Sequence, residues 1–144
     1  MKRILLSAAA IVAFAASPAA AQDRWDQQVR DMLVEAGKRM EGNGMTLTHQ
    51  IQTGSLNEGG TQAITFTLDI GREYAILGLC DEDCTDVDLT LFDAAGRQVS
   101  IDVKDDDYPV VSVAPGRTGT YRVQVSMATC SAEPCRYGVG VFAR

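Results

Sequence analysis

Residues 86–103 read DVDLTLFDAAGRQVSIDV, and this stretch decides the fold. In residues 87–91 and again in residues 99–103, an apolar residue stands at every second position. This period of two indicates β-strands that each have one apolar face. The segment 93–96, Asp-Ala-Ala-Gly, lies between them and is typical of a turn. The stretch therefore predicts an antiparallel hairpin.

The same alternation continues on both sides of the hairpin, between Met45 and Phe142. Turn signals separate the alternating segments, for example Asn57-Glu58-Gly59-Gly60 and Pro115-Gly116. About eight strands are predicted, over residues 46–53, 61–69, 73–79, 87–93, 98–103, 110–113, 120–127 and 137–142. Short, regularly spaced strands without helices between them indicate an all-β fold, an antiparallel β-sandwich or jelly roll spanning residues 45–144.

Residues 22–44 form a different segment, an amphipathic helix with a linker. Apolar residues recur at steps of three and four over Asp23 to Glu41, which predicts a helix with one apolar stripe. The stripe consists of Trp25, Val29, Met32, Leu33, Ala36 and Met40. Gly42-Asn43-Gly44 is a stop signal. Two interpretations stay open: the stripe packs on the following domain, or it docks a partner.

Residues 1–21 have the features of a cleavable signal peptide. Lys2 and Arg3 precede an apolar run from Ile4 to Ala16, and small residues at Ala19 and Ala21 fit a cleavage site. The run has 13 residues, against roughly 20 that are needed to span a bilayer. We therefore expect a periplasmic or secreted protein that does not span the membrane.

The protein is acidic, with a formal net charge of −6. Cleavage after Ala21 would remove two of the 13 basic residues and none of the 19 acidic ones, which changes the net charge to −8. Such a surface repels phosphate backbones, so nucleic acid is a poor partner. A cation, a basic protein or an envelope polymer fits better, and the sequence does not indicate which partner or which oligomeric state is correct.

Four cysteines, an even number, predict two disulfides in an exported protein. Cys80 and Cys84 enclose three residues, and Cys130 and Cys135 enclose four. Turns bring cysteines at these spacings within bridging distance, whereas a strand would hold them too far apart. The pairing 80–84 and 130–135 is favoured. Cross-pairing of the two loops and a four-cysteine zinc site stay open as alternatives.

A resemblance to a known family rests on three segments. They are Asp86 to Gly96, Pro109 to Val113, and Gly119 to Val125, which reads GTYRVQV. Together they resemble the bacterial pre-peptidase C-terminal (PPC) domain, over roughly Met45 to Phe142. The resemblance implies a jelly-roll-like sandwich of eight or nine strands. It also implies a domain that trails secreted proteases and in some members binds calcium or matrix polymers, although here only a helix precedes the domain.

Acidic residues form two dense clusters, one at the start of the first strand of the hairpin and one after the end of its second strand. The candidate metal ligands are Asp81, Asp83, Asp86, Asp88, Asp105, Asp106 and Asp107. The hairpin would bring both clusters to one end of the sheet, where their hard oxygen ligands would suit calcium. The alternative is a set of separate solvated turns, in which Asp88 or Asp93 caps backbone amides.

Catalytic signals are few. His49, the single histidine, falls at an inward strand position or a sheet edge, and neither a nucleophile elbow nor a zinc-protease helix is present. Tyr108 follows the second acidic cluster and is a candidate binding residue at a loop edge, whereas Tyr137 and Phe142 are better explained as core.

These features favour a non-catalytic binding or accessory module that binds a cation, an envelope component or a protein through its acidic loops. Calcium is the one cofactor that the sequence suggests. Two other hypotheses stay open. One is a structural or stress-protective envelope protein without a discrete site, and the other is a hydrolase that uses a pair of carboxylates.

Overall fold

The structure, a computed structural model, describes the backbone of residues 19–144 and the side chains from Arg24 onward. Most of the predicted signal peptide, residues 1–18, lies outside the described residues. The described part contains one α-helix and nine β-strands, which confirms the predicted all-β class with a single preceding helix.

The helix, α1, runs from Ala19 to Glu41. It begins four residues before the predicted start at Asp23, and its first turn contains no acidic residue. At the other end the prediction was correct. Residues 42–44 form a turn, and Gly44 has a φ of 74°, a left-handed conformation that glycine adopts without steric cost.

The nine strands are short and follow the predicted order. They are β1 (Thr46–Leu47), β2 (Gln52–Leu56), β3 (Thr61–Leu68), β4 (Tyr74–Cys80), β5 (Cys84–Phe92), β6 (Gln98–Asp102), β7 (Val110–Val113), β8 (Gly119–Cys130) and β9 (Cys135–Ala143). The predicted strand 46–53 was wrong, because residues 48–51 separate two strands. Both of these strands pair with β9, at different positions along it.

The strands form two antiparallel sheets. In the first sheet, β9 pairs with β1 and β2 on one side and with β4 on the other, and β7 pairs with β4 at the opposite edge. The second sheet has the order β3-β8-β5-β6, and the predicted hairpin of β5 and β6 is part of it. The arrangement is a β-sandwich, as predicted.

The main core lies between the two sheets, where inward residues such as Ile76, Leu89 and Val125 are buried. A second apolar cluster lies on the outer face of the first sheet, where α1 covers β4 and β9. Val29 and Leu33 of α1 are fully or almost fully buried there. Burial of a side chain of this size stabilises the fold by roughly 1.5–3 kcal/mol. The helix stripe is therefore packed on the sandwich in this structure.

Strand β6 differs from the prediction in the direction of its side chains. Val99 and Ile101 are 42% and 48% exposed, whereas Asp102 is buried. Asp102 is in register with Leu89, which lies in the core, so the polar residues of β6 face inward and the apolar residues face solvent.

Both favoured disulfides are present. Cys80 is bonded to Cys84 across a Cα–Cα distance of 5.8 Å, and Cys130 is bonded to Cys135 across 5.9 Å. Each bridge closes one turn, and all four cysteines of the sequence are used. Cross-pairing and a four-cysteine zinc site are therefore not present. The two bridges indicate an oxidising environment outside the cytoplasm.

Candidate functional site

An acidic corner lies where β5 begins and where the loop 103–109 joins β6 to β7. We define the acidic corner as Asp86, Asp88, Asp102, Asp105 and Asp106. The loop is attached to β5 by a hydrogen bond in which the amide of Val87 donates to the carbonyl of Asp106, 3.2 Å away. The corner therefore joins residues from both predicted acidic clusters.

The charges in this corner affect one another. Burial raises the pKa of Asp86, and the negative charges of Asp105 and Asp106 raise it further. Burial also raises the pKa of Asp88, with added effects from Asp86, Asp102 and Asp106. The neighbouring negative charges therefore lie close enough to Asp86 and Asp88 to disfavour the ionised form of these two carboxyls.

Asp86 is the least satisfied member of the corner. Its Oδ1 atom is buried, and it accepts no hydrogen bond from any residue that the structure describes. A buried carboxylate oxygen normally has a partner, because its loss of hydration is otherwise uncompensated. Asp86 therefore carries the one unpartnered buried oxygen of the corner among the described residues, as Asp81 does in the disulfide loops.

Asp102 has the opposite environment. Its Oδ2 atom accepts a hydrogen bond from the amide of Val110 at 2.9 Å, and Lys104 forms an ion pair with the same carboxylate at 3.3 Å. The hydrogen bond from Val110 and the contact with Lys104 lower the pKa of Asp102. The sequence analysis missed Asp102, although a polar residue at an inward position of a predicted strand was a signal that could have revealed it.

Two predicted ligands, Asp81 and Asp83, belong to a separate group at the disulfide loops. Asp81 is 3% exposed, and its Oδ2 atom accepts a hydrogen bond from the amide of Arg136 at 2.7 Å. The carbonyl of Asp83 accepts a hydrogen bond from the amide of Ser131 at 2.8 Å. These contacts connect the two disulfide loops. Asp107, the last predicted ligand, lies half-buried in the loop 103–109.

The acidic corner fits a calcium ion in its chemistry and only in part in its geometry. The donors are hard carboxylate oxygens, as calcium requires. One of them has no hydrogen-bond partner among the described residues. Among the described residues, however, no group of three or more His, Cys, Asp or Glu side chains is arranged to hold a metal ion.

Three other residues that the sequence singled out make contacts within the fold. His49 lies outside the strands, and its Nε2 atom is 3.0 Å from the carbonyl of Thr67. Asp93 caps its turn, because its Oδ1 atom accepts hydrogen bonds from the amides of Ala95 and Arg97. Phe142 is buried, as the core interpretation expected.

Tyr108 is 41% exposed, as its loop position predicted. It lines a groove of about 380 Å³ between the end of α1 and β7. The groove is also lined by Ala36, Arg39, Met40, Leu77 and Val110. The amide of Tyr108 donates a hydrogen bond to Oδ1 of Asp106 at 3.0 Å, so this groove adjoins the acidic corner.

Comparison with known proteins found no family model that matches this chain and no curated protein that is significantly similar to it. The described helix is not long and apolar enough to cross a membrane.

Proposed function

We propose that this protein is a non-catalytic, PPC-like binding module of the periplasm or the extracellular space, and that its acidic corner binds a divalent cation, with calcium the best fit. The predicted signal peptide and the disulfides support export. A bound cation would tie the loop 103–109 to β5 and so define a surface for a partner.

One observation carries the proposal: the buried, unpartnered Oδ1 atom of Asp86 lies among carboxylates that raise its pKa. Among residues 24–144, one ion pair lies in the corner, between Lys104 and Asp102. Asp86 is still repelled by Asp105 and Asp106, and Asp88 by Asp86, Asp102 and Asp106. A divalent cation would relieve this repulsion and give Asp86 Oδ1 a partner.

The same features argue against a hydrolase that uses two carboxylates. Such enzymes need one carboxyl that acts as an acid and one that stays ionised, placed on either side of a substrate cleft. In the acidic corner, burial and repulsion shift both Asp86 and Asp88 in the same direction. These two carboxyls therefore do not separate an acid from a base, and Asp102, whose pKa is lowered, is held by the amide of Val110 and by Lys104.

The test is thermal unfolding of the oxidised protein with calcium or with a chelator. A ligand that binds only the folded state at a hundredfold excess over its Kd stabilises it by about 2.7 kcal/mol. For a domain of this size we expect Tm to rise by several degrees. Asp86→Asn should abolish the rise. Glu82→Gln, which removes an exposed carboxylate from the neighbouring disulfide loop, should keep it.

Three outcomes would contradict the proposal. Tm could be the same in calcium and chelator, which would favour the structural protein without a discrete site. The Asp86→Asn variant could respond to calcium as strongly as the unchanged protein. The Glu82→Gln variant could lose the response as well, which would indicate a diffuse effect of net charge.

Export has its own test. Mass spectrometry of the protein recovered from the periplasm or medium of an expressing bacterium should give a chain that begins at Gln22. A chain that keeps residues 1–21, or that stays in the cytoplasm with reduced cysteines, would contradict export without affecting the calcium test.

A further inference from the structure

The two lateral edges of the sandwich are built differently. At one edge β6 lies beside β7, and at the other β2 and β3, which belong to different sheets, face each other across a groove. At the first edge, inward side chains close the gap. The Ser100 hydroxyl accepts a hydrogen bond from the Ser112 amide at 3.2 Å, and Asp102 accepts one from Val110. These bonds satisfy backbone amides that the sheets leave without a partner.

The edge between β2 and β3 is open. Strand β2 pairs only with β9, and β3 pairs only with β8, so each has one side without a backbone ladder. Among residues 24–144, no side-chain hydrogen bond joins the two strands. The gap is bounded at one end by the contact between His49 and Thr67 and at the other by the turn 57–60.

Sheet edges are usually protected by charges, prolines or bulges, because an unpaired strand invites another strand to pair with it. Strands β2 and β3 read QTGSL and TQAITFTL and contain no charged residue and no proline. Their pairing registers with β9 and β8 contain no bulge. Both edges of this gap are therefore free to accept a strand.

A groove of about 510 Å³ occupies the gap. Its lining is uncharged and mostly polar, and it consists of Gln52, Thr53, Gly54, Ser55, Gln62, Ala63, Ile64, Thr65 and Tyr137. The carboxamides of Gln52 and Gln62 each donate to a neighbouring carbonyl, at 3.2 and 3.0 Å, which leaves their oxygens to accept. Four residues on each strand line the groove, a length of roughly 13 Å.

Tyr137 gives this groove a second polar feature. Its side chain belongs to the core and is 4% exposed, yet its hydroxyl has no hydrogen-bond partner among residues 24–144. Gly54 lies directly over it, since a Cβ atom at position 54 would be 2.5 Å from the hydroxyl oxygen. Burial raises the pKa of Tyr137, so the hydroxyl remains a neutral donor at physiological pH. The glycine leaves the hydroxyl open to the groove.

We propose that the groove between β2 and β3 binds an extended, uncharged segment of a partner polypeptide, which adds a strand to the open edge of the sandwich. Main-chain groups of the segment would pair with the free sides of β2 and β3, and a carbonyl would accept a hydrogen bond from Tyr137. The groove is bounded by β2 on one side and by β3 on the other. An edge strand of a second copy would not enter it, because that strand is already part of a sheet.

This site is independent of the cation site. The acidic corner adjoins β5, β6 and β7 at the closed edge, whereas β2 and β3 form the opposite edge. A failure to bind calcium would therefore not contradict peptide binding in the groove. A failure to bind peptides would likewise not contradict calcium binding in the acidic corner.

The test uses the isotopically labelled protein and amide NMR, with a pool of acetylated, amidated hexapeptides composed of Ser, Thr, Val, Gln and Gly as the probe. We expect shift changes and slower amide exchange confined to residues 52–55 and 62–65. Tyr137→Phe should weaken binding about three- to tenfold, the effect of one lost hydrogen bond. Gln62→Lys, which places a charge in the groove, should abolish binding.

Tyr108→Phe is the matched control, because it removes a tyrosine hydroxyl at the other edge and should bind the pool unchanged. Amide shifts outside the groove report whether each variant is folded. The inference is overturned if the pool leaves the β2 and β3 amides unaffected, or if the folded Gln62→Lys variant binds normally. It is also overturned if maltotetraose, an uncharged saccharide, perturbs these amides and the peptides do not.

Discussion

Asp102 shows how one carboxylate can close a sheet edge. It is 9% exposed, and it accepts the amide hydrogen of Val110 on the side of β7 that has no backbone ladder. An acidic residue turned inward at an edge also disfavours pairing with another chain, because a second strand would have to bury the charge.

We expect Asp102→Ala to destabilise the protein by about 1–3 kcal/mol, because the amide of Val110 loses a charged acceptor in a partly buried position. Asp102→Asn keeps an acceptor oxygen and should cost clearly less. Urea unfolding of both variants at neutral pH measures the difference. Equal losses for Ala and Asn would mean that the charge of Asp102, and not its hydrogen bond, holds the edge.

Individual residues differ in how well the sequence predicted them. The cysteine pairing was predictable because each bridge closes a turn of four or five residues, so only local geometry mattered. The role of Asp93 was predictable for the same reason. Asp102 was not predictable as part of the candidate site, because its partner Val110 lies on a strand that comes beside it only in the folded protein.

Among the elements, α1 depends on Gly138 of β9 for its close approach to the sheet. A Cβ atom at Gly138 would lie 2.5 Å from Cγ1 of Val29 and 2.7 Å from Cδ1 of Leu33. Real side chains do not approach this closely, so the glycine leaves the space that these two residues occupy.

We expect Gly138→Ala to destabilise the docked helix, by about 1–3 kcal/mol as for other overpacked sites. Trp25, the single tryptophan, lies on α1, so its fluorescence reports local release of the helix while circular dichroism reports the sheets. The control is Gly116→Ala, where a Cβ atom has no neighbour within 4 Å. If Gly138→Ala and Gly116→Ala unfold at the same denaturant concentration, the packing argument is wrong.

The strands of the core were predicted well, and the edge strand β6 was predicted poorly. Strands β5 and β8 alternate between buried and more exposed residues, so their order and approximate bounds followed from the period of two. Strand β4 is buried along its whole length and followed from its run of apolar residues. Strand β6 kept the same period and still pointed its apolar residues outward. Periodicity gives two faces but does not say which one is inside when the strand lies at an edge.

At the scale of the whole molecule, the acidic corner should make stability depend on pH. The pKa values of Asp86 and Asp88 are raised in the folded protein, so over the range above the ordinary value of 3.8 the folded state binds more protons than the unfolded state. Stability then falls as pH rises. Without calcium, we expect the free energy of unfolding to increase as pH falls from neutral toward 3.8.

At still lower pH the trend should reverse, because Asp102 has a lowered pKa and its contribution is lost as it becomes protonated. Urea unfolding at a series of pH values in chelator tests both limbs. Asp86→Asn should flatten the increase between neutral and mildly acidic pH. A free energy of unfolding that rises with pH over this interval would contradict the repulsion on which the cation proposal rests.

The central position of β9 determines when the molecule can complete its fold during synthesis. The second sheet has all its strands once Cys130 has been made, whereas β1 and β2 have no pairing partner until β9 appears. The apolar stripe of α1, the first element made, packs mainly on this same last strand. We therefore expect that, as the exported chain emerges N-terminus first, the second sheet forms first, and that helix docking and assembly of the first sheet wait until residues 135–143 have emerged.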